Sequence, residues 1–140
     1  MDTSTLLKKH NLRKTAFRTE VLNLFLEKKG HAFAQSDIEE QLIDPDRITL
    51  YRTLRSFEEK GLIHQAYDSS GVNKYALCND NCNEHSHEDS HAHFHCQTCG
   101  ITQCLHESVS KLNLAVPNGY AVYTTDVVVT GICGNCNQSN

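Results

Sequence analysis

The sequence predicts an α+β fold in two parts, and three observations lead there. Across the first sixty residues, apolar side chains recur at helical spacing and are broken by turn residues. Short β-rich runs follow. Two Cys-x-x-Cys pairs, Cys96/Cys99 and Cys133/Cys136, then lie 33 residues apart in the last third of the chain. Apolar residues every three or four positions mark one helix face, and β-branched or alternating runs mark strands. Thiol pairs that fold back on each other staple a domain too small to bury a large core.

The elements follow in order. Residues 15–29 place Ala16, Val21, Leu22, Phe25 and Leu26 at helical spacing, with Gly30 as a stop. Ser36, with Glu39 three residues on, reads as the capping box of a second helix ending near Leu42. Asp44-Pro45-Asp46 makes a turn. Thr49 is expected to cap a third helix over residues 50–60, with Leu50, Leu54 and Phe57 buried and Gly61 at its end. Residues 63–67 and 74–77 read as two strands joined around Asp68-Ser69-Ser70-Gly71, a hairpin signal.

Three helices and a hairpin form a winged helix, a helix-turn-helix variant whose third helix enters the DNA major groove. The exposed face of that helix offers Tyr51, Arg52 and Arg55. Arginine forks onto guanine edges or phosphates, and tyrosine reaches a thymine methyl or a phosphate.

Beyond the hairpin the sequence turns polar, then β-rich. Strands are expected at 92–95 and 101–105, and a short helix at 108–114. The strongest strand signal in the chain lies at 120–130, rich in Val, Tyr and Thr. The expected division is a winged-helix DNA-binding domain at 1–78, a His/Cys-rich hinge loop at 79–90, and a small α/β dimerisation and metal-binding domain at 91–140. A small sheet has open edges that a second copy would cover, and a homodimer presents two recognition helices to a palindromic operator in double-stranded DNA.

Charge supports this order. The chain carries a formal net charge of −4, yet its first thirty residues hold 7 basic against 3 acidic side chains. A basic leading edge on an acidic protein suits local phosphate contact better than general polyanion binding. No run of 18 apolar residues appears, so no membrane span is expected, and the N-terminus lacks the apolar core of a signal peptide. A cytoplasmic location follows as an expectation; thiols stay reduced there, and Cys-x-x-Cys pairs bind metal. Cys96, Cys99, Cys133 and Cys136 then supply four sulfurs to one tetrahedral Zn²⁺. A zinc hydrolase or deaminase is not expected, because neither H-E-x-x-H nor H-x-E…P-C-x-x-C occurs. A zinc buffer or metallochaperone would explain the His/Cys loop but not the Tyr51-Arg52 helix.

A set of motifs carries a family resemblance: Leu12-Arg13-x-Thr15-x-x-Arg18, His31 through Asp37-Ile38, Thr49-Leu50-Tyr51-Arg52-Thr53-Leu54, Glu59-Lys60-Gly61-Leu62-Ile63, His91-x-His93-x-x-Cys96-x-x-Cys99-Gly100 and Gly131-x-Cys133-x-x-Cys136. Together they cover nearly the whole chain. They resemble the ferric uptake regulator superfamily of metal-dependent bacterial repressors, most of all its zinc-uptake-regulator branch. The resemblance implies a winged helix, a dimerisation domain, and DNA binding switched by a regulatory metal. It places the structural zinc on Cys96, Cys99, Cys133 and Cys136, DNA contacts on Tyr51 and Arg52, and a minor-groove approach on Arg13.

The resemblance also implies a regulatory site at the hinge. His91 and His93 match its histidine pair, Cys78 matches the wing cysteine of the zinc sensors, and His64 stands where those sensors usually carry Asp. A site of His64, Cys78, His91 and His93 is N₃S, a donor set that favours zinc over manganese or ferrous iron. Where the iron and peroxide sensors often place a carboxylate, five residues after the second cysteine, this chain has Cys104. His31 is retained from those sensors, so an iron- or peroxide-responsive regulator holding Fe²⁺ or Mn²⁺ on His31, His91 and His93 is the alternative. Cys104, His85 and His87 are surplus candidate donors: a His/Cys loop binds extra zinc weakly or helps capture it, and the other reading is a solvated linker.

Overall fold

Five helices and six strands make up the computed structural model, which describes residues 2–66, 68, 70–77, 92–105, 114–123 and 125–138. The chain opens with a helix that the sequence did not announce, α1 (Thr3–Lys9). The Asp2 carboxylate accepts from the Thr5 amide at 2.7 Å and starts it, and it buries only Leu6 and Leu7, too few for a periodic signal. Helix α2 (Ala16–Glu27) begins at Thr15, whose hydroxyl accepts from the Arg18 amide at 3.1 Å. Gly30, at φ 85°, ends that segment in a backbone region favoured by glycine.

Two caps differ from expectation. Helix α3 (Gln35–Gln41) starts earlier than a Ser36 cap would allow, because the chain enters it directly from an unexpected strand, β1 (His31–Ala34). Ala34 is the cap, and the carboxylate that reaches back to its amide, at 2.9 Å, belongs to Asp37. Helix α4 (Arg47–Glu59) likewise starts ahead of Thr49. Asp46 is its cap, accepting from the amides of Ile48 and Thr49 at 3.0 and 3.2 Å. A carboxylate after Pro45 competes better for these amides than a hydroxyl three residues into the helix.

The expected stripe of α4 holds: Leu50, Leu54 and Phe57 are 0%, 1% and 0% exposed. They pack with Leu7, Val21, Leu22, Phe25, Ile38 and Leu62 into the main core. Because Phe57 has no exposed surface, Phe57→Ala should cost about 3–5 kcal/mol of folding stability, read as a lower midpoint in urea.

The hairpin forms as β2 (Ile63–Ala66) and β3 (Lys74–Leu77), in register Ile63↔Leu77 to Ala66↔Lys74. Tyr67, expected to extend the first strand, is outside the described residues. After them come β4 (Ala92–Cys96), β5 (Thr102–Leu105), β6 (Val128–Gly131) and a short α5 (Gly134–Gln138). All six strands join one sheet in the order β2-β3-β1-β5-β4-β6. Strand β1 is the connector: it pairs with β3 through Phe33↔Tyr75 and with β5 through His31↔Gln103 and Ala32↔Thr102. Strands from either side of residues 79–90 are thus hydrogen-bonded to each other. The Cys104 amide strengthens that junction by donating to the Gly30 carbonyl at 2.7 Å.

Strand β2 divides its side chains between two cores. Ile63 enters the helical core, whereas Ala66 joins Ala32, Ala76 and Cys104 in a second, small one. His64 shares the parity of Ala66 and therefore that second face.

The 120–130 expectation needs correction. Only Val128–Gly131 is strand, and the described residues before it are not. Tyr120, Val122 and Tyr123 are 69%, 56% and 93% exposed. Strand propensity expresses packing against neighbours, and among the described residues no strand runs beside 120–123. Residues 79–90 and 108–113 lie outside the described residues, as does any test of the hinge loop or the short helix; Leu114 itself is exposed and non-helical. Among the described residues no helix is long and apolar enough to cross a membrane.

Candidate metal centres and the exposed helix

The four cysteines of the two Cys-x-x-Cys pairs come together. Cys96 closes β4, and the turn after it, ended by Gly100 at φ 80°, brings Cys99 back beside it. The parallel pairing Cys96↔Gly131 then delivers Cys133 just past β6, and α5 carries Cys136. All four sulfurs lie within 4.8 Å of one another, and Cys99 Sγ and Cys133 Sγ are 3.8 Å apart. Tetrahedral zinc with bonds of about 2.3 Å separates its sulfurs by about 3.8 Å, so the donors fit the ion. None of the five described cysteines forms a disulfide.

Electrostatics divides the four thiols. Amides of Cys99 and Cys133 donate to Cys96 Sγ at 3.5 and 3.3 Å, and these bonds draw the Cys96 thiol down to about 6. Cys136 is pushed up to about 12, first by its contact with the Cys133 sulfur, then by burial and the remaining sulfurs. Four thiolates at this spacing repel one another, and a divalent cation among them reverses the sign of that repulsion.

A second group of donors is fully internal. His64 of β2, His93 of β4 and Cys104 of β5 are 2%, 6% and 5% exposed. His64 Nε2 lies 3.5 Å from His93 Nε2 and 3.7 Å from Cys104 Sγ. Tetrahedral zinc sets such pairs about 3.3 Å apart for N–N and about 3.6 Å for N–S, close to what these residues present. The neighbouring core residues Ala32, Ala66 and Ala76 are small and leave room for two imidazoles.

Of the regulatory set expected from sequence, the structure therefore brings together His64 and His93. Cys78 and His91 lie outside the described residues, as do His85 and His87. The sulfur beside the two imidazoles is that of Cys104, which the sequence reading left without partners. A signal for it existed: counting outward from the Cys96–Cys99 knuckle pairs His95 with Thr102 and His93 with Cys104. His31 is not in this group. It begins β1, half-buried beside Lys28, Asp37 and Glu40, and burial followed by the Lys28 charge lowers its pKa.

Helix α4 turns Tyr51, Arg52 and Arg55 outward, with Tyr51 52% exposed. Arg55 makes an exposed pair with Glu59 at 3.5 Å, one turn along, which leaves the guanidinium at the surface. Arg13 is exposed ahead of α2, its carbonyl accepting from Arg18 Nη1 at 2.9 Å.

A model of the ferric uptake regulator family matches residues 9–130. The chain belongs to the ferric uptake regulator family. Curated relatives are similar over most of their length: the ferric uptake regulation protein of Bordetella parapertussis is 27% identical over 139 residues, 94% of each chain. That of Staphylococcus aureus strain N315 is 26% identical over 139 residues, 96% of each chain. Among solved structures, a zinc uptake regulator complexed with zinc and DNA superposes with a TM-score of 0.66 at 24% identity, over 97% of this chain and 91% of the other. The Vibrio cholerae ferric uptake regulator superposes with a TM-score of 0.61 at 17% identity, over 94% of this chain and all of the other. This ferric uptake regulator family member is thus a metal-responsive regulator with the family's α+β fold, a DNA-binding domain followed by a C-terminal domain.

Proposed function

We propose that this regulator is a zinc-sensing, DNA-binding repressor of the zinc-uptake branch, cytoplasmic and not an enzyme. The observation that carries the reading is the buried His64/His93/Cys104 group. It takes one donor from the wing hairpin and two from strands beyond residues 79–90. Two imidazoles and a thiol form a soft, nitrogen-rich set that suits zinc and is poor in the oxygen donors of manganese or ferrous sites. The zinc uptake regulator solved with zinc and DNA, similar in fold over nearly the whole chain, supports the same direction. In this reading Cys78, which follows β3 directly, or His91, which precedes β4, completes the shell, and the four-cysteine site holds a structural zinc. Arg13, Tyr51, Arg52 and Arg55 meet the DNA.

The division into 1–78, a hinge at 79–90 and 91–140 gives the switch its parts. A bound zinc supplies charge and directional bonds that favour the closed arrangement of its donors. His64, held by the wing, and His93 and Cys104, held by the C-terminal strands, then define one spacing between the winged helix and the rest. Two copies at that spacing read the two halves of a palindromic operator, and linkage makes DNA tighten metal in return. The exposed Tyr120, Val122 and Tyr123 mark the face we assign to the second copy of a homodimer.

The test is anisotropy of a duplex selected from a random pool by the zinc-loaded protein, under buffered free metal. Zinc is expected to tighten binding by about 5- to 150-fold, the usual span of allosteric coupling. Activation by Fe²⁺ or Mn²⁺ at lower free concentration than zinc would move the regulator to the iron or peroxide branch. Equal DNA affinity with and without metal would remove the switch altogether.

A further inference from the structure

One buried ion pair joins the same two parts as the metal donors. The Asp68 carboxylate, at the hairpin turn, has no exposed surface. Its Oδ1 accepts from the amide and hydroxyl of Ser70 at 2.8 and 2.5 Å, which holds the side chain in place within the turn. Its Oδ2 accepts from Lys74 Nζ at 2.8 Å and from the Thr102 hydroxyl at 2.5 Å, with His95 Nδ1 at 3.5 Å. Thr102 Oγ1 lies within reach of Lys74 Nζ at 3.2 Å and His95 Nδ1 at 3.1 Å. Lys74 also reaches the Gly100 carbonyl at 3.4 Å, at the end of the cysteine knuckle. Burial pulls the Asp68 carboxyl upward, but the bonds from Lys74, Ser70 and Thr102 outweigh it and hold the group well below the usual carboxylate range. The Asp68 carboxyl is therefore ionised in the folded protein at neutral pH.

The partners come from both sides of residues 79–90: Asp68, Ser70 and Lys74 from the hairpin, His95 and Thr102 from β4 and β5. They also sit beside the metal donors. His95↔Thr102 and His93↔Cys104 are alternate rungs of one antiparallel ladder, so all four side chains project from the same face. One rung grips the wing through Asp68, and the other supplies two donors to meet His64 of that wing.

We propose that Asp68 is a positioning residue, the centre of a latch with Lys74 and Thr102 that holds the wing on the C-terminal strands without metal. By keeping His64 opposed to His93 and Cys104, the latch sets the affinity of that donor group. The second statement rests on the zinc-sensing reading above; the first does not. When a binding-competent arrangement is only partly populated, the apparent dissociation constant rises by the inverse of that fraction. The latch raises the fraction before any ion arrives.

The test uses the full-length protein with its structural zinc left in place. Two variants are compared with the natural chain: Asp68→Asn with Lys74→Met, which removes both buried charges together, and Thr102→Val, which removes one neutral donor. Co²⁺ is titrated against a competing chelator while its absorption spectrum is recorded. Separately, exchange of the Cys104 amide, which bonds to Gly30 across the junction, is followed without added metal. The double variant is expected to weaken Co²⁺ binding by about 10- to 100-fold, in line with charge-assisted hydrogen bonds, and to speed that exchange. At saturation its thiolate-to-cobalt band is expected to match the natural protein. For Thr102→Val the loss is expected to be about fivefold, which carries the test should the double variant fail to fold.

Unchanged affinity together with unchanged exchange would overturn the latch. A changed band at saturation would overturn it differently, by making Asp68 a ligand. If the natural chain takes up no Co²⁺ beyond its structural metal, the zinc-sensing reading fails, and exchange at Cys104 alone still decides whether the latch exists.

Discussion

Cys96→Ser is expected to abolish binding at the four-sulfur site and to unfold much of the C-terminal part. Cys96 has no exposed surface, ends β4, and accepts from the amides of Cys99 and Cys133. The region it ties together has little else to hold it. Beyond β5 the described apolar residues are largely at the surface, Val128 and Val129 included, at 37% and 42% exposure. Structural zinc contributes on the order of 10 kcal/mol in small metal-stapled domains, comparable with the whole net stability of about 5–15 kcal/mol of a typical domain. Elemental analysis should show one zinc fewer per protomer than the natural chain. Circular dichroism should show lost β signal and an earlier thermal transition. Prolonged treatment of the natural protein with a strong chelator should reach the same state. Full zinc retention in the serine variant would exclude Cys96 as a ligand.

Cys104→Ser, and independently His64→Ala, should leave that zinc and the fold in place while removing the response to metal. Cys104 lies in the small alanine-lined core, and serine is close to it in volume, so the main helical core is untouched. Outer partners of metal ligands typically cost 10- to 100-fold in affinity, so loss of a ligand itself should exceed about 100-fold at the second site. DNA binding should then stay at its metal-free level at zinc concentrations that activate the natural chain, a loss of about 1–3 kcal/mol of coupling. The anisotropy assay with buffered zinc measures it directly. Full zinc activation in Cys104→Ser would transfer the sulfur ligand to Cys78.

Both outcomes depend on features of unequal legibility. The four-sulfur site could be read directly, because two-residue gaps constrain each thiol pair locally and only the return of Cys133 and Cys136 to the first pair is long-range. The stripe of Leu50, Leu54 and Phe57 was equally open to view, since one helix period determines which residues share a face. Helix starts were read less well. Asp37 and Asp46 outcompeted the hydroxyls of Ser36 and Thr49 once the preceding backbone was in position. Residues 120–123 carried the strand composition but not a strand, because a ladder needs a neighbour.

The family resemblance singled out two of the buried residues, His64 and His93; by itself the sequence determined the α+β class, the helical core, the hairpin and the thiol pairs. These follow from local periodicity and short spacings, which act over a few residues. Tertiary structure alone decided that β1 joins the two halves of the sheet, that Cys104 sits against His64 forty residues earlier, and that Asp68 meets Thr102. Those contacts depend on strand order, and no local pattern encodes which distant strand becomes a neighbour.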